Sequence, residues 1–184
     1  MVEDSLKALQ DLAQHHRRQL KCTVIGITGS NGKTTSKELL SSVLKKKFKT
    51  IATIGNLNNH IGVPLTLLSI PEDTEMAVIE MGASKQGDIK ELVDIAEPNY
   101  GYITNIGKAH LEGMGGYEGV VKTKTEMYDF VKMHNGKVFV NTNHTVFVDR
   151  SSGMDVITFG DGPQNYVQGK FIDSDPYVRF QWGK

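Results

Sequence analysis

Residues 24–40, with the sequence VIGITGSNGKTTSKELL, decide the fold of this chain. The apolar run over residues 22–28 predicts a buried strand, the glycines over 29–32 predict a turn, and a helix is expected to begin at Lys33. Such a strand, turn and helix start together form an anion site, because backbone N–H groups converge there and the helix dipole adds partial positive charge.

Lys33 and Thr34 stand where a phosphate-binding loop places a lysine on the β/γ-phosphates and a hydroxyl on Mg²⁺. The fit to the pattern G-x-x-x-x-G-K-[ST] is imperfect, because its first glycine would fall at Ile27. A tight strand–helix turn with a chance Gly-Lys-Thr is the structural alternative. The combined pattern favours binding of nucleotide phosphates.

The bulk composition limits the classes of partner. The 184 residues include 21 Lys and Arg and 21 Asp and Glu, so the formal net charge is zero. The chain therefore has no net positive charge to attract nucleic acid or an anionic membrane. Cys22 is the only cysteine, which excludes an internal disulfide and a cysteine zinc site. Without an apolar run of transmembrane length or a signal-peptide pattern, the chain is expected to be cytoplasmic and not inserted in a membrane.

Strand and helix patterns alternate along the chain with short connections. This alternation predicts an α/β fold with a mostly parallel sheet and helices on both of its faces. A β-hairpin is expected at the end, around Asp-Ser-Asp-Pro. The remaining predicted strands are 49–53, 75–81, 100–104, 137–141 and 156–159, and the hairpin strands are 166–172 and 177–182. Helices are predicted over 3–19, 88–96 and 117–133, and the helix that begins at Lys33 is expected to continue over 36–47. A short helix begins at 63–64, and 143–149 is a short helix or loop.

Two residues are candidate metal ligands at the ends of predicted core strands. Glu80 is a carboxylate at the C-terminal end of an apolar strand, where open α/β sheets bind ligands. A buried carboxylate needs a cation or a partner, so it is either a Mg²⁺ ligand or half of a structural ion pair. His110 lies in the loop after the strand at 100–104, at the mouth of the same sheet, and is either a metal ligand or an ordinary loop histidine.

The helix predicted over 117–133 carries a lysine on its apolar face. At 100° per residue, Lys124 falls at the centre of that face and Lys122 points the opposite way. A lysine there must snorkel, pair or lose its charge, and a neutral amine can be chemically modified. The apolar face consists of Val120, Val121, Met127, Tyr128 and Val131.

Asn58 and Asn59 lie in an amide-rich loop, GNLNNHIGVPLTLL over residues 55–68. Asparagines are common turn residues, so these two could serve only to shape the loop. They could also grip a substrate beside the phosphate site. The sequence leaves both interpretations open.

The accumulated motifs resemble the central, ATP-binding domain of the Mur ligases. The resemblance rests on GITGSNGKTTSKE (26–38), GNLNNHIGVPLTLL (55–68), IEMGASKQGDI (79–89), ITNIGKAHLEGMGG (103–116) and KTKTEM (122–127), and it covers residues 21 to about 159. TGSNGKT is shared across the Mur and folylpolyglutamate ligases. EMG followed by GDI, with TNIGKAHLEG, is similar to the branch that uses D-Ala-D-Ala, although that branch more often has glutamate in place of Asp88.

The resemblance implies a role for each matching residue. Lys33, Glu80, His110 and Lys124 would be catalytic, with Lys124 carbamylated by CO₂. Two Mg²⁺ ions would be held by Thr34, Glu80, His110 and the Lys124 carbamate, and Asn58 and Asn59 would face the substrate. The ATP phosphates would be bound by Gly29, Ser30, Asn31, Gly32, Lys33, Thr34 and Thr35.

The reaction implied by the resemblance is ATP-driven amide formation in peptidoglycan synthesis. The carboxylate of UDP-MurNAc-tripeptide would form an acyl phosphate, which the amine of D-Ala-D-Ala would then attack. Residues 1–20 would be an entry helix, 21–160 the ATP-binding domain and 161–184 a truncated β appendage of the same domain. The family's N-terminal UDP-sugar domain and C-terminal domain would be absent, so this chain is expected to be a fragment that is inactive alone.

The sequence is also compatible with several other functions. Within the ligases they are another Mur-type enzyme, cyanophycin synthetase and folylpolyglutamate synthase. A simple phosphate-loop kinase or NTPase would explain Lys33 and Thr34 but would not require an inward Lys124. A nucleotide-binding module without catalysis is a third class.

Overall fold

One eight-stranded sheet runs through the computed structural model, which describes residues 2–107, 110–175 and 177–183. The strand order is β2-β3-β1-β4-β5-β6-β7-β8, and every neighbouring pair is parallel except β7 with β8. The elements are α1 (Ser5–Gln19), β1 (Thr23–Thr28), α2 (Lys33–Leu44), β2 (Thr50–Ala52), α3 (Gly62–Leu68), β3 (Met76–Glu80), α4 (Asp88–Ala96), β4 (Tyr100–Ile103), α5 (Leu111–Met114), α6 (Tyr117–Met133), β5 (Lys137–Asn141), α7 (Thr145–Arg150), β6 (Asp155–Gly160), β7 (Val167–Asp173) and β8 (Arg179–Gly183).

The phosphate-loop strand β1 lies between β3 and β4. The chain leaves β1 toward the β2–β3 side of the sheet and later crosses β1 to continue with β4. Such a reversal of strand order opens a crevice beyond the carboxyl ends of the strands, where open α/β folds bind ligands. Ile27 pairs with Glu80 in this register, so both strands end at the same edge.

Helices cover both faces of the sheet, as predicted from the alternation of elements. The larger core lies under α1, α3, α4 and α6 and is filled by side chains such as Val24, Ile79 and Leu92. The smaller core lies under α2, where Leu40 packs against Ile25. Strand β1 alternates its side chains between the two cores, which explains why it reads as an unbroken apolar run.

Most predicted elements are confirmed, and the errors are at short elements and boundaries. Helices α4 and α6 and strand β5 have the predicted bounds. Helix α2 was predicted to reach 47 but ends at Leu44, because residues 45–47 form turns. The predicted strand 49–53 shrinks to β2, and α5 was not predicted because its residues read as loop.

The predicted hairpin is confirmed by β7 and β8, which pair antiparallel. Strand β7 also pairs with β6, so the appendage extends the main sheet. Cys22 is buried as expected. Lys108 and Ala109 of the predicted His110 loop, and Pro176 of the predicted hairpin turn, lie outside the described residues. Within the described ranges, no helix is both long enough and apolar enough to cross a membrane.

Candidate functional site

The phosphate loop joins β1 to α2 through a left-handed glycine. Gly32 is the N-cap of α2 with φ of 75°, a conformation that suits glycine. The first amides of α2, beginning at Lys33, have no intrahelical acceptor and are free to meet an anion. The Lys33 ammonium folds back over the loop and donates to the Gly29 carbonyl at 2.8 Å. Burial lowers the pKa of Lys33, and the nearby charge of Glu80 opposes that shift.

The loop after β4 fastens the phosphate loop from the side. The amide of Ser30 donates to the Asn105 carbonyl at 3.0 Å, and the amide of Asn31 donates to Asn105 Oδ1 at 2.9 Å. Thr104 Oγ1 donates to the Asn31 carbonyl at 2.6 Å. The amides of Ser30 and Asn31, which were predicted to bind phosphate, therefore hold the loop in shape instead. The amides that are available to bind phosphate lie at the start of α2. Sequence reasoning missed Asn105, although it directly follows a predicted strand at the same edge.

Gly29 lets these two loops approach closely. Its φ is 144°, and a Cβ atom there would lie 2.0 Å from Thr104 Oγ1 and 3.1 Å from the Thr104 amide nitrogen. A side chain at this position would push the phosphate loop away from β4. The glycine is thus required by packing as well as by backbone conformation.

Glu80 ends β3 as a buried carboxylate whose two oxygens have different surroundings. The residue is 1% exposed. Oε1 accepts from Thr34 Oγ1 at 3.2 Å and from Asn58 Nδ2 at 2.7 Å. Oε2 is buried and has no hydrogen-bond partner among the described residues. An unsatisfied carboxylate oxygen beside the phosphate-loop hydroxyl fits a cation ligand.

Lys37 lies behind Glu80 and was missed by the sequence reasoning. Its side chain is fully buried, and its ammonium donates to the carbonyls of Thr53 at 2.6 Å and Gly55 at 3.0 Å. It also pairs with Glu38 at 2.9 Å and lies 4.0 Å from Glu80 Oε2. The available signal was spacing, because Lys37 follows Lys33 by four residues and shares its helix face.

The amide-rich loop is held against the end of β3. The Asn58 carbonyl accepts from the Gly82 amide at 2.7 Å. A Cβ atom on Gly82 would lie 2.8 Å from Asn58 Oδ1, so the glycine admits the asparagine. Asn59 Oδ1 accepts from the amides of Ile61 at 3.1 Å and Gly62 at 2.8 Å, a local turn that leads into α3.

A cleft of about 370 Å³ opens between the phosphate loop and α4. It brings together Lys33, Asn58, Asn59 and His110, with Asp88 on its α4 side. His110 is exposed and precedes α5 with φ of 57°, a left-handed conformation that is uncommon for a residue other than glycine. The structure thus places four of the predicted site residues around one opening.

Lys124 is buried on α6 and Lys122 is exposed, as the helical spacing predicted. Burial, and to a lesser extent the charge of Lys33, lower the pKa of Lys124 to about 8, against the opposing charges of Asp88 and Glu126. Lys124 is therefore close enough to Lys33 for the two positive charges to repel each other. Its chemical role stays a prediction.

The described residues contain no group of three His, Cys, Asp or Glu side chains that could enclose a metal ion. Mg²⁺ seldom needs such a cage, since it commonly takes one or two carboxylates and completes its shell with phosphates and water. Glu80 and Thr34 fit that kind of site, because Oε1 of this carboxylate is bonded to the Thr34 hydroxyl and Oε2 accepts no hydrogen bond within the part of the chain that the structure describes.

Comparison with known proteins identifies the family. A model of the Mur ligase middle domain matches residues 27–179. This chain belongs to the Mur ligase family. The UDP-N-acetylmuramoyl-tripeptide–D-alanyl-D-alanine ligase of Bacillus subtilis is 40% identical over 168 residues, which cover 91% of this chain and 36% of that ligase.

Solved Mur ligase structures agree with the fold. MurF from Acinetobacter baumannii superposes with a TM-score of 0.87 and 33% identity, covering 99% of this chain and 41% of that one. MurF from Thermotoga maritima in complex with ADP gives 0.84 and 34% identity, covering 92% and 40%. The chain thus spans about two fifths or less of these Mur ligases, and its sheet and helices match their shared region.

Proposed function

We propose that this chain is the nucleotide-binding part of an ATP-dependent ligase that joins D-Ala-D-Ala to UDP-MurNAc-tripeptide in peptidoglycan synthesis. The observation that carries the proposal is the buried carboxylate of Glu80: Oε1 accepts from the phosphate-loop hydroxyl of Thr34, and Oε2 accepts no hydrogen bond from the described residues. The names of the relatives, and the ADP bound to the Thermotoga maritima protein, support the same activity.

ATP would be bound at the start of α2. The first-turn amides and Lys33 would meet its phosphates, with Gly29, Ser30, Asn31 and Gly32 shaping the loop and Thr35 continuing the helix. Lys33 would exchange the Gly29 carbonyl for phosphate oxygens. The Lys33 ammonium can move from the Gly29 carbonyl to a phosphate oxygen without any change of backbone conformation. The phosphate loop is therefore already organised to bind its ligand.

Mg²⁺ would supply charge neutralisation on the transferring phosphoryl group. Glu80 and Thr34 would hold one ion. We propose His110 and a carbamylated Lys124 for a second ion, because both lie near Lys33 and the lowered pKa of Lys124 favours the neutral amine. Carbamylation forms a bond from Nζ to the carbon of CO₂ and releases one proton, leaving a carboxylate on the side chain.

The rest of the ligase would lie outside this chain. We propose that residues 1–20 lead into the domain, that 21–160 bind ATP, and that 161–184 belong to the same domain. An N-terminal domain would bind the UDP-sugar and a C-terminal domain would bring D-Ala-D-Ala, so the 184-residue chain would not turn over alone. We also propose that the enzyme acts in the cytoplasm.

Nucleotide binding by the purified chain tests the proposal. Titration calorimetry with ADP is expected to give binding that tightens when Mg²⁺ is added, and Lys33→Met should weaken it by about 10-fold or more, since hydrogen bonds to charged groups contribute about 1.5–3 kcal/mol. Lys46→Met makes the same change at an exposed lysine beyond α2 and should bind as wild type does.

No ADP binding by the wild-type chain, or equal binding by Lys33→Met, would contradict a phosphate site at this loop. Specificity requires the longer ligase. That enzyme should consume ATP with UDP-MurNAc-tripeptide and D-Ala-D-Ala together, whereas ATP hydrolysis independent of both would identify an NTPase instead.

A further inference from the structure

The least expected side chain near the site is a lysine that no solvent reaches. Lys37 is 0% exposed and is the only fully buried lysine among the described residues. Leaving an ammonium out of water is costly unless its hydrogens are all bonded. Lys37 meets that condition through the carbonyls of Thr53 and Gly55 and the carboxylate of Glu38.

Two of these acceptors, the carbonyls of Thr53 and Gly55, lie at the start of the amide-rich loop. Thr53 directly follows β2, and Gly55 begins the segment that leads to Asn58. Asn58 in turn donates to Glu80 Oε1 at 2.7 Å. The Lys37 ammonium on α2 therefore fixes the start of the amide-rich loop, and Asn58 of that loop orients the Glu80 carboxylate.

The same ammonium lies beside the other oxygen of Glu80. The distance from Lys37 Nζ to Glu80 Oε2 is 4.0 Å, and that oxygen accepts no hydrogen bond among the described residues. Thr53 adds a further link, because its hydroxyl accepts from the Glu80 amide at 2.9 Å. Glu80 is thus held at its backbone and at Oε1, while Oε2 lies beside the Lys37 charge and accepts no hydrogen bond from the described residues.

We propose that Lys37 is a positioning residue for Glu80, whose carboxylate it holds in place for a metal ion by tying the end of β2 and the amide-rich loop to α2. The proposal rests on the proposed function in one respect, that Glu80 is a ligand of nucleotide-bound Mg²⁺. Lys37 itself would contact neither nucleotide nor metal, because its ammonium is already bonded to Thr53, Gly55 and Glu38.

The test compares ADP affinity with and without Mg²⁺ for the 184-residue chain and its Lys37→Met variant. Losing a residue that orients a metal ligand commonly weakens metal binding by about 10- to 100-fold, so the gain in ADP affinity on adding Mg²⁺ should fall by that factor. Affinity for ADP without Mg²⁺ should change little. Lys46→Met is the matched control and should retain the full Mg²⁺ gain.

Whether the Mg²⁺ gain falls or rises in Lys37→Met distinguishes a positioning role of Lys37 from a purely electrostatic effect of its charge. Removing a positive charge 4.0 Å from Glu80 Oε2 would by itself strengthen the attraction for Mg²⁺, so a larger Mg²⁺ gain in Lys37→Met would overturn the proposal. In a Glu80→Gln background, Lys37→Met should have no further effect on the Mg²⁺ gain. Additive effects of the two changes would also contradict it.

A second measurement does not depend on folding of the Lys37 variant. The ammonium of Lys37 is shielded from water, so its ¹⁵N signal should be observable by lysine side-chain NMR. Adding Mg²⁺ with ADP should shift that signal in the wild-type chain and not in Glu80→Gln. An unmoved signal in a wild-type chain that binds Mg²⁺·ADP would refute the role of Lys37 and leave the proposed function standing. Absence of Mg²⁺-dependent binding in the wild type would refute both.

Discussion

Among single residues, Lys124 is the one whose chemistry depends most on where the fold puts it. It is 2% exposed on α6, and burial lowers its pKa to about 8. Below pH 8 the amine is mostly protonated and cannot add CO₂, whereas above pH 8 it is mostly neutral. A lysine side chain that is fully in water has a pKa of about 10.4 and stays protonated across that range.

This difference predicts selective carbamylation of Lys124. At a fixed concentration of dissolved ¹³CO₂, the chain with Mg²⁺·ADP and with its N-terminal amine acetylated should give one carbamate signal in ¹³C NMR that grows as the pH rises from 7 to 9. Lys124→Met should abolish the signal, and Lys122→Met, on the exposed side of the same helix, should leave it unchanged. A signal that survives in Lys124→Met, or none in the wild type at pH 9, would rule out the modification.

Among the elements, α4 receives a carboxylate cap from α6, the helix against which it packs. Glu126 Oε1 accepts from the Gly87 amide at 2.9 Å, and Oε2 accepts from the Lys90 amide at 2.8 Å. The N-cap of α4 is Gly87, which has no side chain to accept these bonds. Glu126 therefore caps α4 from a neighbouring helix, and it does so two residues from Lys124.

Removing this cap should destabilise the α4–α6 pair. We expect Glu126→Ala to lower the free energy of unfolding by about 1–2 kcal/mol, the usual cost of losing a helix cap. Chemical denaturation measures the change, and Asp129→Ala, an exposed acidic residue on the same helix, should stay within about 0.5 kcal/mol of wild type. Equal effects of the two substitutions would show that the contact contributes nothing beyond surface charge.

For the molecule as a whole, periodic and chemically distinctive segments were predictable from sequence. Helix α6 and the inward Lys124 follow from one 3.6-residue pattern, and the phosphate loop from its glycines and lysine. The strand order was not predictable, because it depends on contacts between segments far apart in sequence. Lys37 and Asn105 were missed for the same reason, since their partners come from other strands and loops. Helix α5 was missed because four residues carry too little pattern.

The stability of the sheet is expected to be uneven, with its weakest end at β8. Among the described residues, strand β8 pairs only with β7, and its aromatic residues are largely in solvent, with Phe180 64% and Trp182 68% exposed. Strand β1 pairs on both sides and carries side chains such as Val24 that are 0% exposed. Opening β8 removes few apolar contacts, whereas opening β1 disrupts both cores.

Hydrogen exchange should reveal this gradient. Amides of β8 are expected to exchange at least about 100-fold faster than those of β1 after correction for intrinsic rates, because edge segments open locally while core strands exchange only through global unfolding. Strand β5, which also pairs on both sides, is the control and should exchange as slowly as β1. Equal protection of β8 and β1 would mean that the hairpin opens only when the whole sheet does, and that its exposed aromatic residues cost the fold no local stability.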